Sequence, residues 1–148
     1  MIMIATAPHV TVRLARRADI PAMHRVRLAV RENRLSDPCR VTPADYLPAI
    51  TELGRGWVAE SSGLIVGFSV GYRSGNIWAL FVDPCHEGRG YGKALHSAMV
   101  SWLWAQGLRQ LWLTTAAGTR AEGFYRALGW RSCGIVPGGE IRFALDRA

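Results

Sequence analysis

The chain has 148 residues, 49% of them apolar, which suits one domain spanning 1–148 with a sizeable core. Its apolar runs stop short of the ~20 residues a membrane helix needs, and residues 1–8 lack the basic region of a signal peptide, so a cytoplasmic protein without membrane attachment is expected. The net charge of +7 comes almost wholly from arginines spread along the chain, with Lys93 the only lysine; there is no aromatic-basic pattern or recognition-helix signature, and no nucleic-acid partner is expected.

Residues 10–14 alternate apolar and polar and read as a first strand. Asp19-Ile20-Pro21 then opens a helix with a buried stripe of Ala22, Met23, Val26, Ala29 and Val30. Arg27, Arg31 and Arg34 fall opposite that stripe, on a face expected to be solvated. After a loop over 33–40, Thr42 and Asp45 form a capping-box pattern for a second helix burying Tyr46, Leu47, Ile50 and Leu53. Pro48 predicts that this helix is short or bent, and Gly54-Arg55-Gly56 is expected to end it. Residues 57–60 and 64–70 make a hairpin around Ser61-Ser62-Gly63, and the apolar run 77–82 is a further strand.

The helix that follows carries Tyr91, Ala94, Leu95, Ala98, Met99, Trp102 and Leu103 on one face, with Gly107 just past its end. It serves as a crossover to a parallel strand over 110–115. Thr119, with Glu122 three residues on, caps a short helix whose inner face holds Ala121, Phe124, Tyr125 and Leu128, and Gly129 stops it. A last antiparallel hairpin, 131–135 and 140–145, turns at Pro137-Gly138-Gly139.

Three cysteines, Cys39, Cys85 and Cys133, cannot all pair and show no Cys-x-x-Cys spacing, so reduced thiols and no metal site are expected. Cys85 and His86 are neighbours, but adjacent side chains in extended chain point to opposite faces, which argues against a nucleophilic couple. The chemistry instead gathers around Gly88, Gly90 and Gly92, set between a strand and a helix. Bare N–H groups at a helix's positive end form an anion site, and the functional reading is a diphosphate cradle. Glycines alone fit a ligand-free turn equally well.

The run Val82-x-Pro84 followed by Gly88-Arg89-Gly90-Tyr91-Gly92-Lys93-Ala94-Leu95 resembles the acetyl-CoA-binding motif of the GNAT acetyltransferase superfamily. Glu87 departs from that family's usual Gln or Arg; its carboxylate is expected to point away from the phosphates, with Arg89 supplying positive charge. Residues 119–130 are similar to the family's later motif, with Ala121, Phe124, Tyr125, Gly129 and Trp130 in place and Gly118 where Asn is frequent. The resemblance covers nearly the whole chain. It implies the α/β (α+β) GNAT fold, a mixed, mostly antiparallel twisted sheet of about six or seven strands with four helices, its central parallel pair splayed for the cofactor.

The resemblance further implies transfer of an acetyl group from acetyl-CoA to a primary amine of a small molecule or peptide, by direct attack and without a covalent enzyme intermediate. The cofactor would be held by Leu80, Phe81 and Val82 on the strand, by Glu87, Gly88, Arg89, Gly90, Tyr91, Gly92 and Lys93 in the cradle, and by Phe124. A main-chain N–H near Leu80 would stabilise the developing oxyanion. Tyr125 matches the general acid, although its place on an inner helix face also suits a core tyrosine. The family fixes no base; Glu32, Asp83, His86 and Glu140 are the candidates, and Glu32 is favoured because that region forms the family's acceptor pocket. The arginines between 25 and 40 point to an acceptor with negative charge, while peptide N-termini, amino-acid derivatives and polyamines stay open. A non-catalytic acyl-CoA-binding or regulatory domain is the alternative on the same fold. Homodimers are common in the family, and the sequence neither requires nor excludes one.

Overall fold

Two sheets carry the fold in the computed structural model, which describes residues 10–30 and 41–148. The first sheet runs β1 (Thr11–Leu14), β2 (Gly54–Ser61), β3 (Leu64–Tyr72) and β4 (Ile77–Val82), all antiparallel. The second has the order β5 (Gln110–Ala116), β7 (Glu140–Asp146), β6 (Arg131–Ile135), also antiparallel. Helix α1 (Ile20–Ala29) and the short α2 (Tyr46–Ile50) pack on one face of the first sheet. Helix α3 (Tyr91–Ala105) packs on the other and leads to β5, after which α4 (Arg120–Ala127) precedes β6. The seven strands and four helices among the described residues agree with the α/β architecture that the resemblance implies.

Because both faces of the first sheet are covered, β3 is apolar almost without a break rather than alternating, and β2 buries consecutive residues Trp57, Val58 and Ala59. Val58, Phe68 and Val70 turn toward Met23, Val26 and Tyr46, whereas Trp57, Ala59 and Val66 meet Leu95, Met99 and Leu103. Gly71 seats α3: a Cβ there would approach Leu103 Cδ1 to 2.9 Å and Met99 Cγ to 3.0 Å. Ser69, fully buried, donates from Oγ to Leu95 O at 3.3 Å and ties β3 to the same helix.

Several expectations are corrected. Gly54-Arg55-Gly56 does not terminate a helix; α2 stops at Ile50, the three residues open β2, and Leu53 is exposed rather than buried. The glycine at 54 answers to packing, since any Cβ would collide with the Gly71 carbonyl of the facing strand. In α1 the buried positions are Ile20, Met23 and Val26, and Ala29 is exposed. Asp19 does not cap α1 with its side chain. Its carboxylate accepts the Arg13 fork at 2.8 and 2.9 Å and the Arg16 N–H at 2.8 Å, and Arg13 holds it below the usual carboxylate range. Arg27 leaves its expected solvated face and lies half-buried against Tyr46, Trp78 and Phe81, while Arg31 and Arg34 fall outside the described residues.

Candidate active site

Among the described residues one parallel bridge, Asn76 to Trp112, links the two sheets. The Trp112 N–H donates to Gly75 O at 2.9 Å and Asn76 Nδ2 to Trp112 O at 3.3 Å. Past that clamp β4 and β5 belong to separate sheets, so the gap between them widens toward Val82 and Ala116. The Asp83 N–H donates to Val66 O at 2.7 Å, which makes that a hydrogen-bonded pair of the antiparallel ladder. Alternation then gives Phe81, opposite Phe68, ladder bonds to β3, and turns the N–H and C=O groups of Leu80 and Val82 into the gap. An open strand edge of this kind seeks partners.

At the wide end the chain makes a 3-10 turn, Pro84–His86, pinned by the Asp83 carboxylate accepting the Cys85 N–H at 2.9 Å. Gly88 and Gly90 then take φ of +77° and +91°, a region that disfavours side chains, and α3 starts at Tyr91. No side chain caps this helix, and its first internal bond runs from Ala94 N to Gly90 O at 3.1 Å. The N–H groups of Tyr91, Gly92 and Lys93 are therefore without internal partners at the positive end of a helix. Gly92 lies under Phe124, where a Cβ would come within 3.3 Å of Cε1.

These parts line one cleft of about 460 Å³, a size typical of ligand pockets. Its walls are residues 77–82 of β4, residues 113–116 of β5, the loop residues His86, Glu87, Gly88 and Gly90, the α3 start from Tyr91 to Lys93, and Thr119 to Ala121 with Phe124 and Tyr125 on α4. All the sequence-derived cofactor residues share it except Arg89, which is exposed and outside the wall. Lys93 and Arg120 supply the positive charge there. Glu87 turns to Arg120, Oε1 to Nε at 3.5 Å, so its carboxylate is neutralised within the wall.

Of the candidate bases, His86 and Glu140 line the cleft, and His86 Nδ1 is buried without a partner. Asp83 is occupied in the turn, Glu32 lies outside the described residues, and Cys85 is exposed with no hydrogen bond to His86 among those residues. Tyr125 reaches the cleft from α4, stacked edge-on with Phe124 at 5.2 Å and Trp130 at 5.5 Å between ring centroids. Burial pushes its phenol well above the usual value, so it stays protonated. Behind it, buried His96 accepts the Trp130 Nε1–H at 3.0 Å on Nε2, and desolvation brings its pKa down to about 4. His96 was invisible in the sequence because it sits beside, not on, the apolar stripe of α3; Arg27 and Arg120 carried no motif signal either.

Two antiparallel sheets joined by one parallel bridge, with an uncapped, glycine-started helix at their open end, make a split α/β fold. Residues 21–130 match the model of the acetyltransferase (GNAT) family, and the chain belongs to that family. Among solved structures it is similar to Ard1 from Thermoplasma volcanium (TM-score 0.79, 21% identity, 95% of this chain and 99% of that one). It is also similar to the ribosomal-protein-S18-alanine N-acetyltransferase from Escherichia coli (TM-score 0.74, 19% identity, 93% of each chain). A third, yncA from Salmonella typhimurium with its cofactor acetyl-CoA, aligns at TM-score 0.72 and 18% identity over 93% of this chain and 94% of that one. Among curated proteins no sequence matches.

Proposed function

We propose that the chain, acting as one domain over 1–148, transfers an acetyl group from acetyl-CoA to a primary amine of a small molecule or peptide by direct attack. The carrying observation is the convergence of three features on one cleft: the free edge of Leu80 and Val82, the bare N–H groups at the start of α3, and the Tyr125 phenol. The residues suit the cofactor. Tyr91, Gly92 and Lys93 N–H groups would take the diphosphate, the Lys93 ammonium part of its remaining charge, and Phe124 its apolar arm, while the Leu80 and Val82 main chain would pair with the arm's amides.

Acetyl-CoA supplies an activated acyl group on a good leaving thiol. The amine nitrogen forms a bond to the acyl carbon, the C–S bond breaks with its electron pair on sulfur, and the amine gives up a proton. The Leu80 N–H donates to the acyl oxygen as negative charge builds there. Tyr125 passes its proton to the leaving sulfur and is recharged from solvent. His86 and Glu140 are the described cleft residues able to take the amine's proton, and Glu32 remains a further candidate. The test is a thermal shift with acetyl-CoA followed by release of free CoA thiol across an amine panel. Stabilisation with turnover is expected; stabilisation without turnover of any amine would favour the non-catalytic acyl-CoA-binding reading, and no stabilisation would end both.

A further inference from the structure

Opposite the cofactor wall the cleft has a cation that the scheme above does not use. Arg27 lines it from α1, on the face of β4 away from α3. Its guanidinium carbon lies 4.8 Å from the ring centroids of both Trp78 and Phe81, and Nε donates to Tyr46 Oη at 3.1 Å. Trp78 is placed for this by a register shift against Val70 and Gly71 that leaves it as the extra residue of β4. Ring faces and one acceptor occupy the plane's surfaces and one of its five N–H bonds. Nη2 is cut off from solvent and has no acceptor, and no carboxylate pairs with Arg27 among the described residues. Burial disfavours the charged form, Tyr46, Tyr72 and Asp45 offset this in part, and a guanidinium does not shed its proton at working pH, so a largely desolvated cation stands in the wall with no ion-paired carboxylate among the described residues.

Resting on the acetyltransferase reading, we propose that Arg27 anchors the carboxylate of the acceptor, so that the substrate is an amine that also bears a carboxylate. Arg27 lines the cleft with no carboxylate paired to it among the described residues, and a guanidinium gives a carboxylate charge-assisted hydrogen bonds that an alcohol or an amide does not match. Phe81, on whose ring Arg27 rests, follows Leu80 in the chain, so an anion held there keeps the rest of the acceptor beside the acyl oxygen's donor.

The experiment uses the full chain with saturating acetyl-CoA and matched acceptor pairs: L-alanine, L-phenylalanine, β-alanine and γ-aminobutyrate, each beside its carboxamide. Free CoA thiol is the readout. For at least one pair the acid should be favoured about tenfold or more in kcat/KM. Arg27→Gln should bring that ratio close to one, chiefly by raising KM for the acid, and Arg27→Lys should restore part of it. The acetyl-CoA thermal shift of Arg27→Gln should match wild type, which also shows that the variant is folded. Equal use of acids and amides by the wild type overturns the proposal without needing any variant. So does turnover of none of the acids by a protein that acetyl-CoA stabilises, or a wild-type ratio that survives Arg27→Gln. Absence of the thermal shift in the wild type instead removes the acetyltransferase reading on which the proposal rests.

Discussion

Tyr125 and His96 show how single side chains are prepared by burial. Desolvation raises the Tyr125 phenol, which keeps it protonated through the neutral range and also makes it a weaker acid toward the leaving thiolate. Tyr125→Phe keeps the ring packing on Phe124 and Trp130 and removes the proton. It is expected to lower kcat about 10- to 100-fold, toward the low end of general-acid effects because a thiolate leaves readily. KM for acetyl-CoA should stay within about twofold; unchanged kcat would remove Tyr125 from the mechanism. His96 is shifted the other way for a base, from 6.5 to about 4. Between those values the unfolded chain binds a proton that the folded chain refuses, so stability falls as pH drops through that window and is flat above it. The ceiling on this loss is about 3 kcal/mol. His96→Gln keeps an acceptor available for Trp130 Nε1 but cannot titrate. Its Tm should fall less steeply than the wild type's between pH 6.5 and 4, and parallel slopes would refute the assignment.

At the scale of elements, the same residue type serves opposite ends. Gly90 stands in open space with φ of +91°, so Val there meets no neighbour and costs chiefly backbone strain at the α3 start. Gly90→Val should leave a folded protein with Tm lowered by only a few degrees and no acetyl-CoA thermal shift; retained binding would show that the cradle backbone is not what grips the cofactor. Gly54→Val lies where a Cβ would run into the Gly71 carbonyl of a neighbouring strand, and should cost more than about 3 kcal/mol in denaturant unfolding. A smaller loss would mean that β2 and β3 can separate freely. This contrast explains what the sequence could and could not disclose. The glycine-started helix, the Thr119 cap accepting from Glu122 N at 3.4 Å, and the parallel crossover were legible because local spacing determines them. The role of Gly54, read as a helix stop, depends on a strand seventeen positions away, and the burial of Arg27 depends on Trp78 being re-aimed by a bulge. Neither contact leaves a periodic trace.

For the whole molecule, the decisive feature is that two sheets meet at one end and part at the other. The clamp at Asn76 and Trp112 fixes the vertex, and the cores on either side, Leu95 to Leu103 behind one face and Met23 to Tyr46 behind the other, keep β4 in place while its second edge stays unpaired. No helix among the described residues is long and apolar enough to cross a membrane. If the gap holds the cofactor arm, the main chain of β4 should report it with a period of two. In amide hydrogen exchange followed by NMR, Ala79 and Phe81 should exchange slowly in the free protein, because β3 holds them, and Leu80 and Val82 quickly. Acetyl-CoA should slow Leu80 and Val82 by at least about tenfold, the protection of one added hydrogen bond worth about 1.4 kcal/mol, and leave the relative order of Ala79 and Phe81 unchanged. Uniform slowing of all four would indicate general stiffening of the sheet, and no slowing at Leu80 would place the acyl group away from the donor on which the mechanism relies.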